Sequence, residues 1–176
     1  TLWGFIMAFF HLISLGCAKN LVDSEVILGS MAAGGWELTE DPEQAEVLIL
    51  NTCGFIQPAV EEAIAEIFEL VSLKEQLPAK KIVVVGCLVQ RYKEQLAEDL
   101  PEVDLFVGTE GAADIAGYID QVVQGAVAER VRLPARTLMT SNTRRIFSTP
   151  SFRAWLKITE GLDNPCSYRL TPSLRG

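Results

Sequence analysis

The 176-residue sequence predicts an α/β fold, in which a parallel sheet is covered by helices on both faces. Short apolar segments alternate with helical patterns as far as about residue 124. The apolar segments are continuous rather than alternating, which is typical of strands buried on both faces. The composition, with 49% hydrophobic and 22% charged residues, is that of a chain able to bury a core.

Local signals support each predicted element in turn. The predicted strands are residues 9–15, 46–50, 82–85 and 103–107, with a further short strand at 36–39. The predicted helices are residues 21–33, 58–71, 90–100 and 112–123. Gly34 is typical of a position just beyond a helix end, and Pro58 favours a helix start because the first turn needs no N–H donor. In the helix that begins at Pro58, an apolar stripe alternates with glutamates, which indicates one buried and one solvated face.

Charge divides the chain into unequal parts. Residues 1–128 contain 6 Lys and Arg against 20 Asp and Glu, a net charge of −14, whereas residues 129–176 contain 9 against 3, a net charge of +6. We therefore expect one domain over residues 1–128, a basic linker over 129–153, and the truncated start of a second domain over 154–176, with a strand pattern at 154–159. The acidic part argues against direct contact with nucleic acid and favours a basic protein partner.

The amino-terminal stretch is apolar but lacks the features of an export signal. It has no basic start and no small-residue cleavage site, and it is too short to span a bilayer comfortably. Met7 is a candidate native start, with residues 1–6 an added leader. We expect no membrane association and a cytoplasmic location, where the four cysteines are ligands or nucleophiles rather than disulfides.

Three cysteines each follow a predicted buried strand. Cys17, Cys53 and Cys87 are separated by 36 and 34 residues, close to one strand–helix unit each. Because parallel strands point the same way, we expect all three at the carboxyl edge of the sheet, where open α/β sheets build their sites. Any one of them alone is explained as a small buried hydrophobe. A disulfide would leave the third unexplained, so a metal is the economical explanation for all three.

The ligand set favours iron–sulfur over zinc. Thiolate sites suit both metals, but the one histidine, His11, lies six residues before Cys17 on the same strand, roughly 20 Å from the strand end. A site of three cysteines and that histidine is therefore excluded, and His11 is expected to be a satisfied strand residue. Three thiols without a fourth protein ligand fit a 4Fe–4S cluster with one iron left open for chemistry.

The surroundings of the three cysteines suit an anionic group. Helices are predicted to begin soon after Cys17 and Cys53, and their positive ends favour thiolate over thiol. Gly16, Gly54 and Gly86 allow close approach of backbone N–H groups. Other polar residues on this rim are each more typical of turns or caps than of contacts: Lys19, Asn20, Asn51, Thr52, Gln57 and Gln90. Asn20 in particular is predicted to be a helix N-cap.

Four segments together resemble a known family. SLGCAKNLVDSE, NTCGFIQPAVEEAI, GCLVQRY and LPEVDLFVGT are similar to the N-terminal domain of the radical S-adenosylmethionine (SAM) methylthiotransferases, and the likeness extends over about residues 9–176. Within that family, KNLVDSE and GFIQPA resemble the branch that modifies an aspartate of a small-subunit ribosomal protein. The enzymes that modify tRNA adenosine read differently in both segments.

The resemblance implies a fold and a function. The fold is a flavodoxin-like domain in which Cys17, Cys53 and Cys87 hold an auxiliary 4Fe–4S cluster, whose open iron carries the sulfur or methylsulfur to be inserted. The parent enzyme would use SAM, a second 4Fe–4S cluster and a sulfur source to methylthiolate an aspartate of a basic ribosomal protein. Neither the catalytic residues nor those that bind SAM are assigned from this sequence.

The last residues resemble a second motif that is incomplete. EGLDNPCSYRLTPSLRG is similar to the start of a radical-SAM domain, in which a Cys-x3-Cys-x2-Cys loop binds the catalytic cluster. Here Leu162, Cys166 and Arg169 occupy the three positions, and neither leucine nor arginine ligates iron. Cys166 is thus expected to be an unliganded remnant, and this chain alone is expected to be inactive. An engineered fragment explains the substitutions better than a natural degenerate copy, although the sequence leaves both open.

The sequence alone leaves three other functions open. One is methylthiolation of tRNA rather than of a ribosomal protein. Another is a non-catalytic iron–sulfur redox module, for which the cluster would be fully liganded. A flavin or nucleotide site is a third, but the first strand–helix loop, GCAKN, lacks the Ser, Thr and Gly residues of a phosphate-binding cradle.

Overall fold

Six parallel strands form one sheet in the computed structural model, which describes residues 8–135, 143–161 and 170–175. The strands are β1 (Ala8–Ser14), β2 (Trp36–Leu38), β3 (Val47–Thr52), β4 (Lys81–Gly86), β5 (Leu105–Val107) and β6 (Val131–Arg132). Their order across the sheet is β2-β1-β3-β4-β5-β6. Without β6 this is the order of flavodoxin-like sheets. The α/β class expected from the sequence is confirmed.

The helices follow the strands along the chain. They are α1 (Ala18–Ala33), α2 (Gln57–Gln76), α3 (Cys87–Asp99), α4 (Ile115–Val123) and the short α5 (Thr171–Arg175). Pro58 lies in the first turn of α2, as the sequence predicts. α3 is interrupted at Lys93, where φ is 50°, so that two helical segments meet there.

Two apolar layers cover the sheet, one on each face. Val47 and Ile49 of β3 pack with α1 and α4, whereas Leu48 and Leu50 pack with α2 and α3. Successive strand residues point to opposite faces, so a strand buried on both faces has to be apolar throughout. All six residues of β3 are buried accordingly. The uninterrupted apolar runs in the sequence reflect this two-sided burial.

Several predicted boundaries differ from those in the structure. α1 begins at Ala18 rather than at residue 21, and α3 begins at Cys87 rather than at residue 90. α4 begins at Ile115 rather than at residue 112, because a 3-10 turn over Thr109–Gly111 and a short bend come first.

The basic carboxyl-terminal part also differs from its prediction. Residues 129–153 are not only a linker, because Val131–Arg132 adds the edge strand β6 beside β5. The strand predicted at 154–159 is wrong, since those residues have no strand partner within the described part of the chain. Leu156 and Ile158 are 82% and 86% exposed. An apolar alternation becomes a strand only where a neighbouring strand supplies hydrogen bonds.

A segment within that part lies across helix α1, and we call residues 143–161 the strap. The Ile146 N–H donates to the Glu25 carbonyl of α1 at 2.9 Å. A Cβ placed on Gly29 would lie 2.6 Å from the Arg144 carbonyl oxygen, so the two backbones touch. The strap therefore covers the polar side of α1, opposite to the side that packs on the sheet.

Some predictions concern residues outside the described ranges. The candidate start Met7 is one, and the incomplete motif of Leu162, Cys166 and Arg169 is the other. Among the helices that the structure describes, none has both the length and the apolar character needed to cross a membrane.

Candidate functional site

The topology brings the three strand-end cysteines into one pocket. From β1 the chain crosses to β2 on one side, and from β3 it crosses to β4 on the other. The carboxyl ends of β1 and β3 therefore flank a switch point, where open α/β sheets hold their ligands. Cys17, Cys53 and Cys87 all line the pocket at this place, which has a volume of about 660 Å³.

Each cysteine is positioned by the end of a strand or the start of a helix. Cys17 is the residue before α1, with extended backbone, and Cys87 is the first residue of α3. Cys53 directly follows β3. Cys53 and Cys87 are 7% and 5% exposed, whereas Cys17 is open to solvent. All three are free thiols.

One amide oxygen lies between two of the thiols. Asn20 Oδ1 is 3.6 Å from the Sγ of Cys17 and 3.8 Å from the Sγ of Cys87. Cys53 approaches Gly16, where an added Cβ would lie 3.3 Å from its Sγ. Within residues 8–135, 143–161 and 170–175, no three His, Cys, Asp or Glu side chains converge closely enough to hold a single metal ion.

Two glycines make this arrangement possible. Gly16 has φ of +96°, and an added Cβ would lie 2.7 Å from the Cβ of Cys53. Gly86 has φ of +107°, and an added Cβ would lie 2.6 Å from both the Thr52 carbonyl oxygen and Asn51 Oδ1. Side chains rarely adopt such backbone angles, so both positions require glycine. The glycines let the Cys17 and Cys87 backbones turn tightly out of their strands.

A buried polar network lies beneath the thiols. Asn20 Nδ2 donates to the Thr52 carbonyl at 2.8 Å, and Asn51 Nδ2 donates to the Asn20 carbonyl and to Ser24 Oγ, both at 2.8 Å. The Thr52 hydroxyl donates to the Val85 carbonyl at 2.6 Å. Predicting Asn20 as an N-cap was wrong. α1 begins at Ala18, three residues before its predicted start, so Asn20 lies inside the helix, where its side chain is fully buried and bonded to β3.

An arginine that the sequence did not single out also lines the pocket. Arg175, 5% exposed, donates to Asn20 Oδ1 at 3.0 Å and to Asp23 Oδ2 at 2.7 Å, and it pairs with Glu160. Lys157 pairs with the other Asp23 oxygen at 2.7 Å. The contacts of Arg175 and Lys157 with Asn20 and Asp23 join residues more than 130 positions apart, so no local pattern could have indicated them.

Burial and neighbouring charges shift the pKa values of Cys87 and Arg175 in opposite directions. Burial raises the pKa of the Cys87 thiol above its ordinary value, and the Arg175 guanidinium partly offsets that rise. Burial acts to lower the pKa of Arg175, but Asp23 and the other anionic neighbours outweigh it and raise that pKa. The arginine is therefore a permanent cation beside a thiol that is hard to ionise without it.

The remaining predicted residues are divided between the pocket and the rest of the fold. Lys19 lines the pocket and donates to the Thr159 carbonyl at 3.0 Å. Gln57 instead contacts Glu61 on the exposed side of α2. His11 lies within β1, with Nδ1 2.9 Å from the Thr39 carbonyl oxygen, as expected for a satisfied strand residue.

Comparison with known proteins identifies the class to which the chain belongs. A family described as "Uncharacterized protein family UPF0004" matches residues 9–108, which include all three pocket cysteines. The match covers more than half of the chain, so the chain is a member of that family. The shared region runs from β1 to just beyond β5 and thus contains the whole thiol edge of the sheet.

Individual relatives carry a more specific name. The chain is 64% identical to "Ribosomal protein uS12 methylthiotransferase RimO" of Desulfotalea psychrophila, over 95% of this chain and 38% of that protein. Proteins of the same name from Anaeromyxobacter sp. (strain K) and Syntrophus aciditrophicus are 49% and 44% identical, over 93% and 94% of this chain and 34% and 37% of theirs. The chain thus spans little more than a third of their length, and the expected resemblance is confirmed.

Proposed function

We propose that this chain is the iron–sulfur domain that supplies sulfur in a methylthiotransferase acting on ribosomal protein uS12. The observation that carries the proposal is the convergence of three free thiols, from three successive strand–helix junctions, in one pocket. The printed names of the relatives support the substrate, since they describe uS12 methylthiotransferases. The acidic charge of residues 1–128 suits a basic ribosomal protein.

The donor set fits a multi-iron cluster better than a single ion. Zinc binds thiolates at about 2.3 Å, which requires the sulfurs of a tetrahedral site to lie within about 4 Å of each other. The described thiols do not form such a group, and the pocket has room for a larger inorganic core. Cys17, Cys53 and Cys87 would hold a 4Fe–4S cluster, which when bound supplies an iron with a free position for sulfur.

The residues of this chain prepare the pocket for such a group. Phe55, Ile56 and Ala59 line part of the pocket with apolar side chains. Gly16 leaves space beside Cys53 that a side chain would fill. Asn20 and Arg175 place polar atoms in the same pocket, where hydrogen bonds and charge tune an iron–sulfur group.

Further parts of the proposal concern the parent enzyme. We infer that it uses SAM and a second 4Fe–4S cluster, and that it works in the cytoplasm, where its ribosomal substrate is found. This chain alone would not hold the second cluster, because Leu162 and Arg169 replace two of the three thiols in the motif around Cys166. We therefore expect iron–sulfur binding but no methylthiolation from the isolated chain.

Iron analysis on matched variants tests the cluster assignment. The chain is reconstituted anaerobically with iron and sulfide, and iron and acid-labile sulfide are measured for the wild type, Cys53→Ala and Cys166→Ala. We expect about four irons per chain for the wild type and for Cys166→Ala, and a loss of bound iron for Cys53→Ala. Iron retained by Cys53→Ala would show that the pocket cysteines are not the ligands, and iron lost from Cys166→Ala would show that Cys166 is a further ligand.

A separate measurement tests the substrate of the parent enzyme. After deletion of its gene, methylthio-aspartate in uS12 and methylthio-adenosine in tRNA are quantified by mass spectrometry. We expect the mark on uS12 to disappear and the mark on tRNA to remain. Loss of the tRNA mark alone would favour the tRNA methylthiotransferases. A cluster found spectroscopically to have four protein ligands would favour a redox module.

A further inference from the structure

A buried arginine in a pocket of thiols calls for a physical explanation. Arg175 is 5% exposed and forms ion pairs with Asp23 and Glu160. Buried ion pairs contribute little to stability, because desolvation of the charges offsets their attraction. Apolar side chains in place of Arg175 would close this side of the pocket equally well. The charge itself is therefore the feature to explain.

The ion pairs around Arg175 are oriented. Of the four charged groups in this network, Arg175 lines the pocket, whereas Asp23, Glu160 and Lys157 do not. The guanidinium is thus the charged group of this network that reaches the pocket, and neither carboxylate lines it. A neutral network arranged in this way still presents its positive side to the pocket, and a low-dielectric wall strengthens that field.

The distances place this charge beside the thiols. Asn20 Oδ1 accepts from Arg175 Nη2 at 3.0 Å and lies 3.6 Å from Cys17 Sγ and 3.8 Å from Cys87 Sγ. One amide oxygen therefore separates the guanidinium from both sulfurs. At such a separation a charge acts strongly on an ionised sulfur at Cys87, because this buried side chain is little screened by water.

We propose that Arg175 is a resident counter-charge of the three-cysteine pocket, which Lys19 also lines, and that it stabilises the anionic group that these thiols carry. The inference rests on the proposed function only for the identity of that group as an iron–sulfur cluster. The positive potential at the thiols is a property of the apo-chain and is measured separately.

Alkylation with a charged and a neutral reagent measures that potential. Iodoacetate and iodoacetamide both form an S–C bond to the thiolate and release iodide, so the ratio of their rates at one pH does not depend on the thiolate fraction. The ratio is measured at Cys17, the exposed thiol, by mass spectrometry of the apo-chain. We expect Arg175→Gln to lower the ratio about tenfold, and Arg175→Lys to retain most of it.

Removing the charge of Asp23, which pairs with Arg175, should change the rate ratio in the opposite direction. Asp23→Asn breaks the same ion pair but leaves the guanidinium less neutralised, so we expect the ratio to rise. A purely structural role would move both variants in the same direction. Arg130→Gln is the matched control, because Arg130 donates to backbone carbonyls near the end of α3 and does not line the pocket. Its ratio should equal that of the wild type.

The reduction potential gives a second, separate readout. In the reconstituted chain we expect Arg175→Gln to make reduction at least about tenfold less favourable, equivalent to about 59 mV for one electron. Unchanged ratios, or shifts of the same sign in Arg175→Gln and Asp23→Asn, would overturn the inference. If the ratios shift but no iron binds, the proposed function fails and the inference stands. If iron binds and neither the alkylation ratio nor the reduction potential changes in these variants, the inference alone fails.

Discussion

Substitution of Gly86 by alanine is expected to destabilise the fold substantially. Gly86 is the last residue of β4 and directly precedes Cys87, with φ of 107° and ψ of −154°. This region of backbone conformation is essentially restricted to glycine. An added Cβ would also lie 2.6 Å from the Thr52 carbonyl oxygen, which is backbone of the neighbouring strand and cannot move away alone.

The magnitude follows from these two effects. A residue held in such a conformation costs about 1–3 kcal/mol, and an overpacked core site costs about another 1–3 kcal/mol. A value near the middle, about 4 kcal/mol, corresponds to a fall in Tm of about 8–16 °C for a chain of this size. Circular dichroism at 222 nm during heating measures the change.

Gly117 provides a matched control for this experiment. It lies on the exposed side of α4, and an added Cβ would have no neighbour within 4 Å. Alanine there should raise stability by up to about 1 kcal/mol, because glycine is unfavourable within a helix. The two Gly→Ala changes should thus have opposite signs. A Tm for Gly86→Ala equal to that of the wild type, or an equal fall for Gly117→Ala, would refute the reasoning.

Two further predictions concern contacts outside the pocket. Burial raises the pKa of Glu25, but the Ser148 N–H and Arg145 outweigh it, so this pKa is lowered from its ordinary 4.5. Its contribution to stability is therefore complete above about pH 4.5 and is lost as pH falls through the lowered value. Glu25→Gln should thus flatten the dependence of Tm on pH below about pH 4.5. The Trp36 indole N–H donates to Asp120 at 3.1 Å, so Trp36→Phe should cost about 1 kcal/mol and lower Tm by about 2–4 °C. A pH profile unchanged in the first variant, or an unchanged Tm in the second, would contradict these estimates.

The sheet could be predicted from the sequence because its signal is local. A strand buried on both faces must be apolar at every position, and residues such as Leu48 and Val84 meet that condition in short, well-separated runs. The convergence of Cys17, Cys53 and Cys87 then follows, since parallel strands bring their carboxyl ends to one edge. Neither inference needs contacts between distant residues.

The positions of Asn20 and Arg175 in the pocket could not be predicted in the same way. Asn20 was interpreted as a cap because asparagine near a helix start is typical of caps. In the structure its side chain contacts β3 and a residue 155 positions later. Likewise the charged residues Asp23 and Glu25 of α1 are buried, because they pair with Lys157 and Arg145 of the strap. The spacing of polar residues indicates which residues of a helix are polar, but not which other segment of the chain covers them.

Two carboxylates of α1, Glu25 and Asp23, hold the strap in place on the helix. Glu25 accepts from Arg145 and from the Ser148 N–H, while Asp23 accepts from Lys157 and Arg175. A shift of the strap along the helix would leave the buried Glu25 carboxylate without its cation, which costs several kcal/mol, and would remove Lys157 from Asp23. Apolar contacts alone would tolerate such a shift more easily, because they have little directionality. The ion pairs of Arg145 with Glu25 and of Lys157 with Asp23 therefore fix the strap on α1, the helix that follows Cys17.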